Sequence, residues 1–304
     1  GYNPDMTHPV RFHVLLLPNV PWVELRQRAI TCESLGFDLI GLADHFVDWT
    51  NPPADWFESW TTLAALADAT SSIRLTTLVS QIPLRPPAMF ARQALTLDHI
   101  SNGRLEIGLG TGLTIDPSYA MAGLPNWSAG ERVARFAEYV ELVRALLSNE
   151  ITTYAGRFYQ VDGAYMNPRP FQHPHPPLTI AALGPRMMRL AAIHADTWNT
   201  LSFQPDPASQ LAEIRTRLAE MDAICIQVDR DPATLRRSYT MFDAQARHRG
   251  GAVGYLDGEQ QLQDQVGPLL DLGITDIGLY YPIDPAQTET FARIATDVLP
   301  SLRD

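Results

Sequence analysis

The chain has 304 residues, enough for one α/β barrel, which needs about 250 and often carries insertions. Apolar residues make up 45%, sufficient for a sizeable core, and no apolar run approaches the ~20 residues that span a bilayer. With 34 acidic against 23 basic side chains the net charge is -11, which argues against nucleic acid or an anionic membrane as the main partner and leaves open a small anionic ligand held by a few local basic groups.

The start, Gly1 to Arg11, is polar and carries no hydrophobic leader-type segment, and Gly1 to Asp5 reads as an addition ahead of Met6. Cys32 and Cys225 fall in segments that read as helical. A lone pair this widely spaced fits buried thiols in a reducing cytoplasm.

Short β-rich apolar runs alternate with longer amphipathic stretches, the pattern of a parallel sheet with crossover helices. The first strand is predicted at 12–17, and the first helix at 22–35, where Gly36 ends it. Strand two is expected at 38–42, helix two at 59–70, and strand three at 74–79. Helix three follows the Pro86-Pro87 start at 88–100, strand four covers 105–109, and helix four 130–147. The stretch 151–177, with Gly156, Gly163 and a proline cluster, reads as an insertion holding a short hairpin. Beyond it the pattern predicts strand five at 178–182, helix five at 186–194, strand six at 196–200 and helix six at 207–226. Strand seven is predicted at 235–242, helix seven at 259–272, strand eight at 276–280 and helix eight at 285–299. Eight strand-then-helix units predict a closed (β/α)8 TIM barrel, a single domain over 1–304, with an open doubly wound sheet as the rival arrangement.

Barrel enzymes carry their chemistry on the loops after the strands. After strand two comes Ala43-Asp44-His45-Phe46-Val47-Asp48-Trp49, where an imidazole able to relay a proton near neutral pH stands beside a carboxylate and an indole. After strand four comes Gly108-Leu109-Gly110-Thr111-Gly112, whose glycines allow close approach of backbone to a flat ring or a phosphate. Its spacing is not that of the dinucleotide fingerprint. After strand five, Leu183-Gly184-Pro185-Arg186 enters a helix, a ready anion site to which Arg186 adds charge. Trp198-Asn199 after strand six is a candidate wall of the same mouth. Each of these stretches also has a plain structural reading, as a chance loop, a glycine-rich turn or a simple helix start. No metal site is expected: His173-Pro174-His175 lacks a third partner, and Arg11 and His13 in strand one do not form the His-x-His of a metal hydrolase barrel.

Taken in order, Gly36-Phe37-Asp38, Ala43-Asp44-His45-Phe46, Arg85-Pro86-Pro87-Ala88, Ser101-Asn102-Gly103-Arg104 and Gly108-Leu109-Gly110-Thr111-Gly112 resemble the luciferase-like monooxygenase superfamily from about Phe12 to Pro300. The resemblance implies a barrel with an insertion and a flavin mononucleotide (FMN) or the deazaflavin coenzyme F420 at its mouth. Asp44-His45-Phe46 with Trp49 is similar to the F420-dependent sugar-phosphate dehydrogenase branch. That likeness implies that Asp44 and His45 touch the deazaflavin and that His45 and Trp49 line the substrate side as catalytic residues. It also implies a bulge with a non-proline cis peptide at Thr77-Leu78 behind the ring, cofactor contacts from Gly110, Thr111 and Gly112, and a phosphate turn at Leu183, Gly184 and Arg186. The branch has an acidic residue directly after the glycine turn, where this chain has Leu113. The departure disfavours glucose-6-phosphate, and favours a less polar substrate or catalysis leaning on His45 alone. The expected function is hydride transfer between coenzyme F420 and a small organic substrate, in a cytoplasmic homodimer. An FMN-dependent monooxygenase and a non-catalytic flavin-binding relative are the alternatives.

Overall fold

A computed structural model describes residues 8–303. The segment Gly1 to Asp5, read as an addition ahead of Met6, lies outside the described residues. In chain order the elements are β1 (Arg11–Leu16), α1 (Trp22–Ser34), β2 (Leu39–Leu42), α2 (Ser59–Ala69), β3 (Arg74–Thr77), β4 (Ser80–Gln81) and α3 (Pro87–Ile100). There follow β5 (Ile107–Gly110), α4 (Ser118–Met121), α5 (Ala129–Ser148), β6 (Ile151–Ala155), β7 (Gln160–Tyr165), β8 (Leu178–Ala181), α6 (Pro185–His194), β9 (Thr197–Thr200) and α7 (Pro207–Gln227). The last are β10 (Arg236–Thr240), α8 (Glu259–Asp271), β11 (Asp276–Tyr280), α9 (Thr288–Arg293) and α10 (Leu299–Arg303).

Nine strands share one sheet in the order β3-β2-β1-β11-β10-β9-β8-β5-β4, with parallel registers between β1 and β11, β10 and β9, and β5 and β8. β3 and β4 are two pieces of one stretch, parted by Leu78 and Val79, and Leu75 forms a parallel bridge to Leu105 ahead of β5. The order therefore returns to its start, which is the eight-station (β/α)8 arrangement and excludes the open doubly wound rival. Between α5 and β8 the chain forms the antiparallel hairpin β6–β7.

By contact density the described chain falls into two compact units, one of residues 8–16, Thr31–Ile40 and 182–303, the other of Leu17–Ile30 and Gly41–Ala181. In the first unit β1, β9, β10 and β11 pair, and the Asp276 carboxylate is bound by Arg11 Nη2 at 2.6 Å and His13 Nδ1 at 2.6 Å. Burial alone would raise the Asp276 carboxyl, but Arg11 and His13 hold it well below the usual carboxylate range. Trp198 and Asn199 of this unit are buried: the indole donates to the Ala182 carbonyl at 2.9 Å and Asn199 Nδ2 donates to Ser238 and Thr240. They are core residues of their strand and form no wall of a mouth. Cys32 and Cys225 are both buried and are not joined to each other.

In the second unit, Trp60 of α2 meets Phe90 of α3 edge to face with centroids 5.0 Å apart, and Phe90 packs at a tilt on Tyr139 of α5 at 5.8 Å. Ser128 caps α5 by accepting from the Glu131 N–H.

The structure corrects three elements. The expected strand 74–79 breaks at Leu78–Val79, and the non-proline cis bond lies there, one residue after the predicted Thr77-Leu78. Leu78 N–H still donates to Leu42 O at 2.8 Å, so the ladder holds through Leu78 and the break falls after it. The fourth strand begins at Ile107, and ahead of it only an isolated bridge remains, with Leu75 N–H donating to Arg104 O at 3.0 Å and Glu106 N–H to Leu75 O at 2.9 Å. The final helix is not continuous: a π turn at Ile294–Val298 parts α9 from α10, ahead of Pro300, which has no N–H for a regular i−4 bond. Among the described residues no helix is long and apolar enough to cross a membrane.

Candidate active site

The candidate site grows from the end of β2, inside the second unit. Asp44 is 1% exposed, and Arg85 grips its carboxylate from Nη1 at 2.5 Å and Nη2 at 3.1 Å. Arg85 also binds Glu58, whose carboxylate caps α2 by accepting from Trp60 N–H at 3.1 Å and Thr61 N–H at 2.7 Å. Burial pushes the Asp44 carboxyl up, against the pull of Arg85 and the Ser80 hydroxyl. The carboxylate beside His45 in sequence is thus turned to an arginine, and a different one serves the imidazole.

That other carboxylate is Asp116. Its Oδ2 lies 2.6 Å from His45 Nδ1, and its Oδ1 accepts from Ser118 N–H at 2.8 Å at the start of α4. Burial raises the Asp116 carboxyl, but the hydrogen bonds from His45 and Ser118 outweigh it and hold it at about 2. An ionised carboxylate at 2.6 Å requires a donor opposite it, so Nδ1 of His45 carries a proton. Nε2 is then the nitrogen with a choice, accepting when the ring is neutral and donating when it is protonated.

Gln81 of β4 sits behind this pair. Its Nε2 donates to Asp44 O at 2.9 Å and to Asp116 Oδ2 at 3.2 Å, and stands 2.8 Å from His45 Nδ1. Its Oε1 accepts from the buried Tyr119 hydroxyl. On the other side, the Trp49 ring stacks on the imidazole with centroids 6.4 Å apart, and Trp56 meets it edge-on at 5.8 Å while donating to His45 O at 3.0 Å. The imidazole is 18% exposed, so it is walled by indoles yet reachable.

The glycine run reads differently from its motif. A Cβ on Gly108 would fall 1.8 Å from Thr77 O, and one on Gly110 would fall 2.6 Å from Val79 Cγ2. These two glycines let β5 press against the β3–β4 stretch. Gly112 has φ +74° and a Cβ there would meet Tyr119 Oη at 2.1 Å and Gln81 Oε1 at 2.4 Å. Its glycine is required by both backbone sign and the hub it faces. Buried Arg132 fixes the loop by donating from Nη1 to Thr111 O at 2.8 Å, from Nε to Trp127 O, and from Nη2 to Asn126 Oδ1. Thr77 is fully buried, with its hydroxyl donating to Gly108 O and hydrogen-bonded to the Ser80 hydroxyl. Leu78 is half-buried.

The structure thus brings Asp44, His45, Trp49, Thr77, Leu78, Gly110, Thr111 and Gly112 into one unit. Leu183, Gly184 and Arg186 belong to the other, where Gly184 precedes α6, all three are exposed, and a Cβ on Gly184 would meet nothing within 4 Å. Sequence reasoning missed Asp116, Gln81, Tyr119, Trp56 and the role of Arg85. The signal for Asp116 was present: Asp116-Pro117-Ser118 is a helix-start triplet, here opening α4.

Residues 6–250 match the family described as luciferase-like monooxygenase. The chain belongs to that family. Membership makes it an oxidoreductase. It is 28% identical to the F420-dependent glucose-6-phosphate dehydrogenase of Intrasporangium calvum, over 92% of this chain and 95% of the relative. It is 31% identical to the pyrimidine monooxygenase RutA of Allorhizobium ampelinum, over 70% of this chain and 58% of the relative. Other curated relatives are matched over about half of their own length, 51% and 49% in two cases. In fold it is similar to an F420-dependent secondary alcohol dehydrogenase in complex with an F420-acetone adduct, with TM-score 0.81, 18% identity, and coverage of 98% of this chain and 100% of that one.

Proposed function

We propose that the protein is a coenzyme F420-dependent oxidoreductase that interconverts a small apolar alcohol and its carbonyl compound, with His45 handling the proton. The observation that carries the reading is a half-buried imidazole whose Nδ1 is committed to Asp116 and whose other nitrogen is left for chemistry between two indoles. The relatives named for F420 support the choice of cofactor.

The donor set suits a flat redox cofactor: an aromatic wall, glycines without side chains at Gly110 and Gly112, and one imidazole. We assign the ring's surroundings to Asp44, His45, Thr77, Leu78, Gly110, Thr111 and Gly112, with Asp44 contributing from behind through its hold on Arg85. Leu183, Gly184 and Arg186 are assigned to the phosphate, by free N–H groups at the start of α6. Coenzyme F420, when bound, supplies a two-electron hydride acceptor and donor. The chain's share is then to keep water out with Trp49 and Trp56, to hold the substrate oxygen near His45, and to take or return its proton at Nε2.

An apolar substrate follows from the cations. The sequence has no lysine, so arginine is the only permanently charged side-chain cation it can offer an anionic substrate. The two arginines bonded to this site are taken: Arg85 by Asp44 and Glu58, Arg132 by two carbonyls and Asn126. The loops 43–57 and 111–121 contain no basic residue apart from His45 and expose Phe46 (53%), Leu113 (41%) and Ile115 (70%). Nothing there neutralises a phosphate.

Fluorescence titration with coenzyme F420 and with FMN tests the reading, with tighter binding of F420 expected. Clear preference for FMN, with oxygen consumed in turnover, would favour the monooxygenase reading that the likeness to the pyrimidine monooxygenase supports. We also propose that the protein is a homodimer and that 1–304 acts as one domain. Sedimentation tests the first. One cooperative unfolding transition supports the second, and two separable ones overturn it.

A further inference from the structure

We propose that Asp116 is the positioning residue of this site: its buried carboxylate fixes the proton of neutral His45 on Nδ1 and so presents the Nε2 lone pair to the substrate. The proposal rests on the reading that His45 works at the reacting centre, but its test does not.

The geometry distinguishes a positioning role from a staple between loops. Asp116 does tie the loop after β2 to the loop after β5, through His45. That tie is duplicated. Ser118 Oγ accepts from Phe46 N–H at 3.1 Å, joining the same two loops, and Gln81 Nε2 holds Asp44 O at 2.9 Å. Removing the charge of Asp116 therefore leaves the loops joined. The bond to His45 is the one that nothing else duplicates.

Gln81 makes the consequence specific. Its Nε2 faces the Asp44 carbonyl at 2.9 Å, a group that can only accept, so a turned amide would set oxygen against oxygen; the NH2 group therefore stays on this side, 2.8 Å from His45 Nδ1. With Asp116 ionised, Nδ1–H points to the carboxylate and Gln81 donates to Asp44 O and to Asp116. With Asp116 neutralised, the nearest strong partner of Nδ1 is the donor Gln81 Nε2. Nδ1 then accepts, and the ring proton moves to Nε2. That tautomer has no lone pair at Nε2 with which to take a substrate proton. Asp116 itself is 3% exposed, so it reaches the reaction only through the imidazole.

The test is the tautomer of His45, read by the nitrogen shifts of the imidazoles in 15N-histidine-labelled protein, with His45→Gln identifying the signal among the eight histidines. The parent should show neutral His45 as Nδ1–H, and Asp116→Asn should show Nε2–H. Turnover of Asp116→Asn should fall about 100- to 10,000-fold with KM and cofactor affinity little changed. Asp116→Glu should restore the Nδ1–H tautomer and much of the turnover. An Nε2–H tautomer in the parent, which needs no variant to fold, overturns the proposal, as does an unchanged tautomer in a folded Asp116→Asn. If the tautomer switches as expected while the protein neither binds nor turns over F420, the positioning role stands and the cofactor assignment fails.

Discussion

Replacing Arg85 by Met should destabilise the protein by about 3–5 kcal/mol at neutral pH, because it leaves Asp44 as a buried charge with no cation. Asp44 is 1% exposed and receives two of its hydrogen bonds from Arg85, at 2.5 and 3.1 Å. Glu58 also loses Arg85, but it is 48% exposed on its side chain and that loss adds only about 0–1 kcal/mol. The deficit should depend on pH with a definite sign. Burial raises the folded-state carboxyl of Asp44 above its ordinary value of 3.8. A raised acid binds its proton more tightly when folded, so its contribution to stability is greatest below the unfolded value and is lost as pH rises through the folded one. Removing Arg85 takes away a force that lowers that value, so the folded value climbs further and the deficit grows as pH rises. Urea unfolding under acidic and under neutral conditions measures it. The double variant Arg85→Met with Asp44→Asn should recover most of the loss, since the buried charge is gone. A deficit under about 1 kcal/mol at the higher pH, or a double variant no better than Arg85→Met, would refute the reasoning.

Three further substitutions probe the site. Gly112→Ala should cost about 1–3 kcal/mol, from the positive φ and the collision with Tyr119 and Gln81, read by the urea midpoint, whereas an unchanged midpoint would mean the loop relaxes freely. His45→Ala should lower turnover about 100- to 10,000-fold while moving F420 affinity far less, and near-normal turnover would remove the imidazole from the reaction. Gly184→Val should fold normally, since a Cβ there meets nothing within 4 Å, yet weaken cofactor binding at least about tenfold if the start of α6 holds the phosphate. Unchanged affinity would take that turn off the list.

The eight-fold alternation was legible because it rests on local patterning: the strands are short buried runs such as Leu39–Leu42, helices such as α3 and α7 begin at a proline or a capping residue, and α1 and α8 run into Gly36 and Gly273. What patterning could not reveal were features set by tertiary contact. The break at Leu78–Val79 and the late start of β5 follow from how one strand meets the next. Helix α4 has only four residues, too few to show a period. The importance of the glycine run was legible, but its reason was not: Gly108 and Gly110 are small because Thr77 and Val79 are close.

The site shows the same division. Residue types singled out His45, which lies just past the end of β2, and adjacency suggested Asp44 as its carboxylate. Adjacency misleads at the end of a β-strand, where consecutive side chains point to opposite faces. Asp44 and His45 therefore serve different partners, Arg85 and Asp116, the second 71 residues away. Leu113 seemed to remove the acid from the site, yet three residues later Asp116 supplies a carboxylate, now behind the histidine and sealed from solvent. A carboxylate beside the substrate can donate or accept a proton itself. One behind an imidazole can only decide which nitrogen does so. In the proposed reaction the exchange keeps proton transfer available while leaving the substrate side of the loop to Leu113 and Ile115, which is why a histidine-centred reaction and an apolar substrate belong to the same proposal.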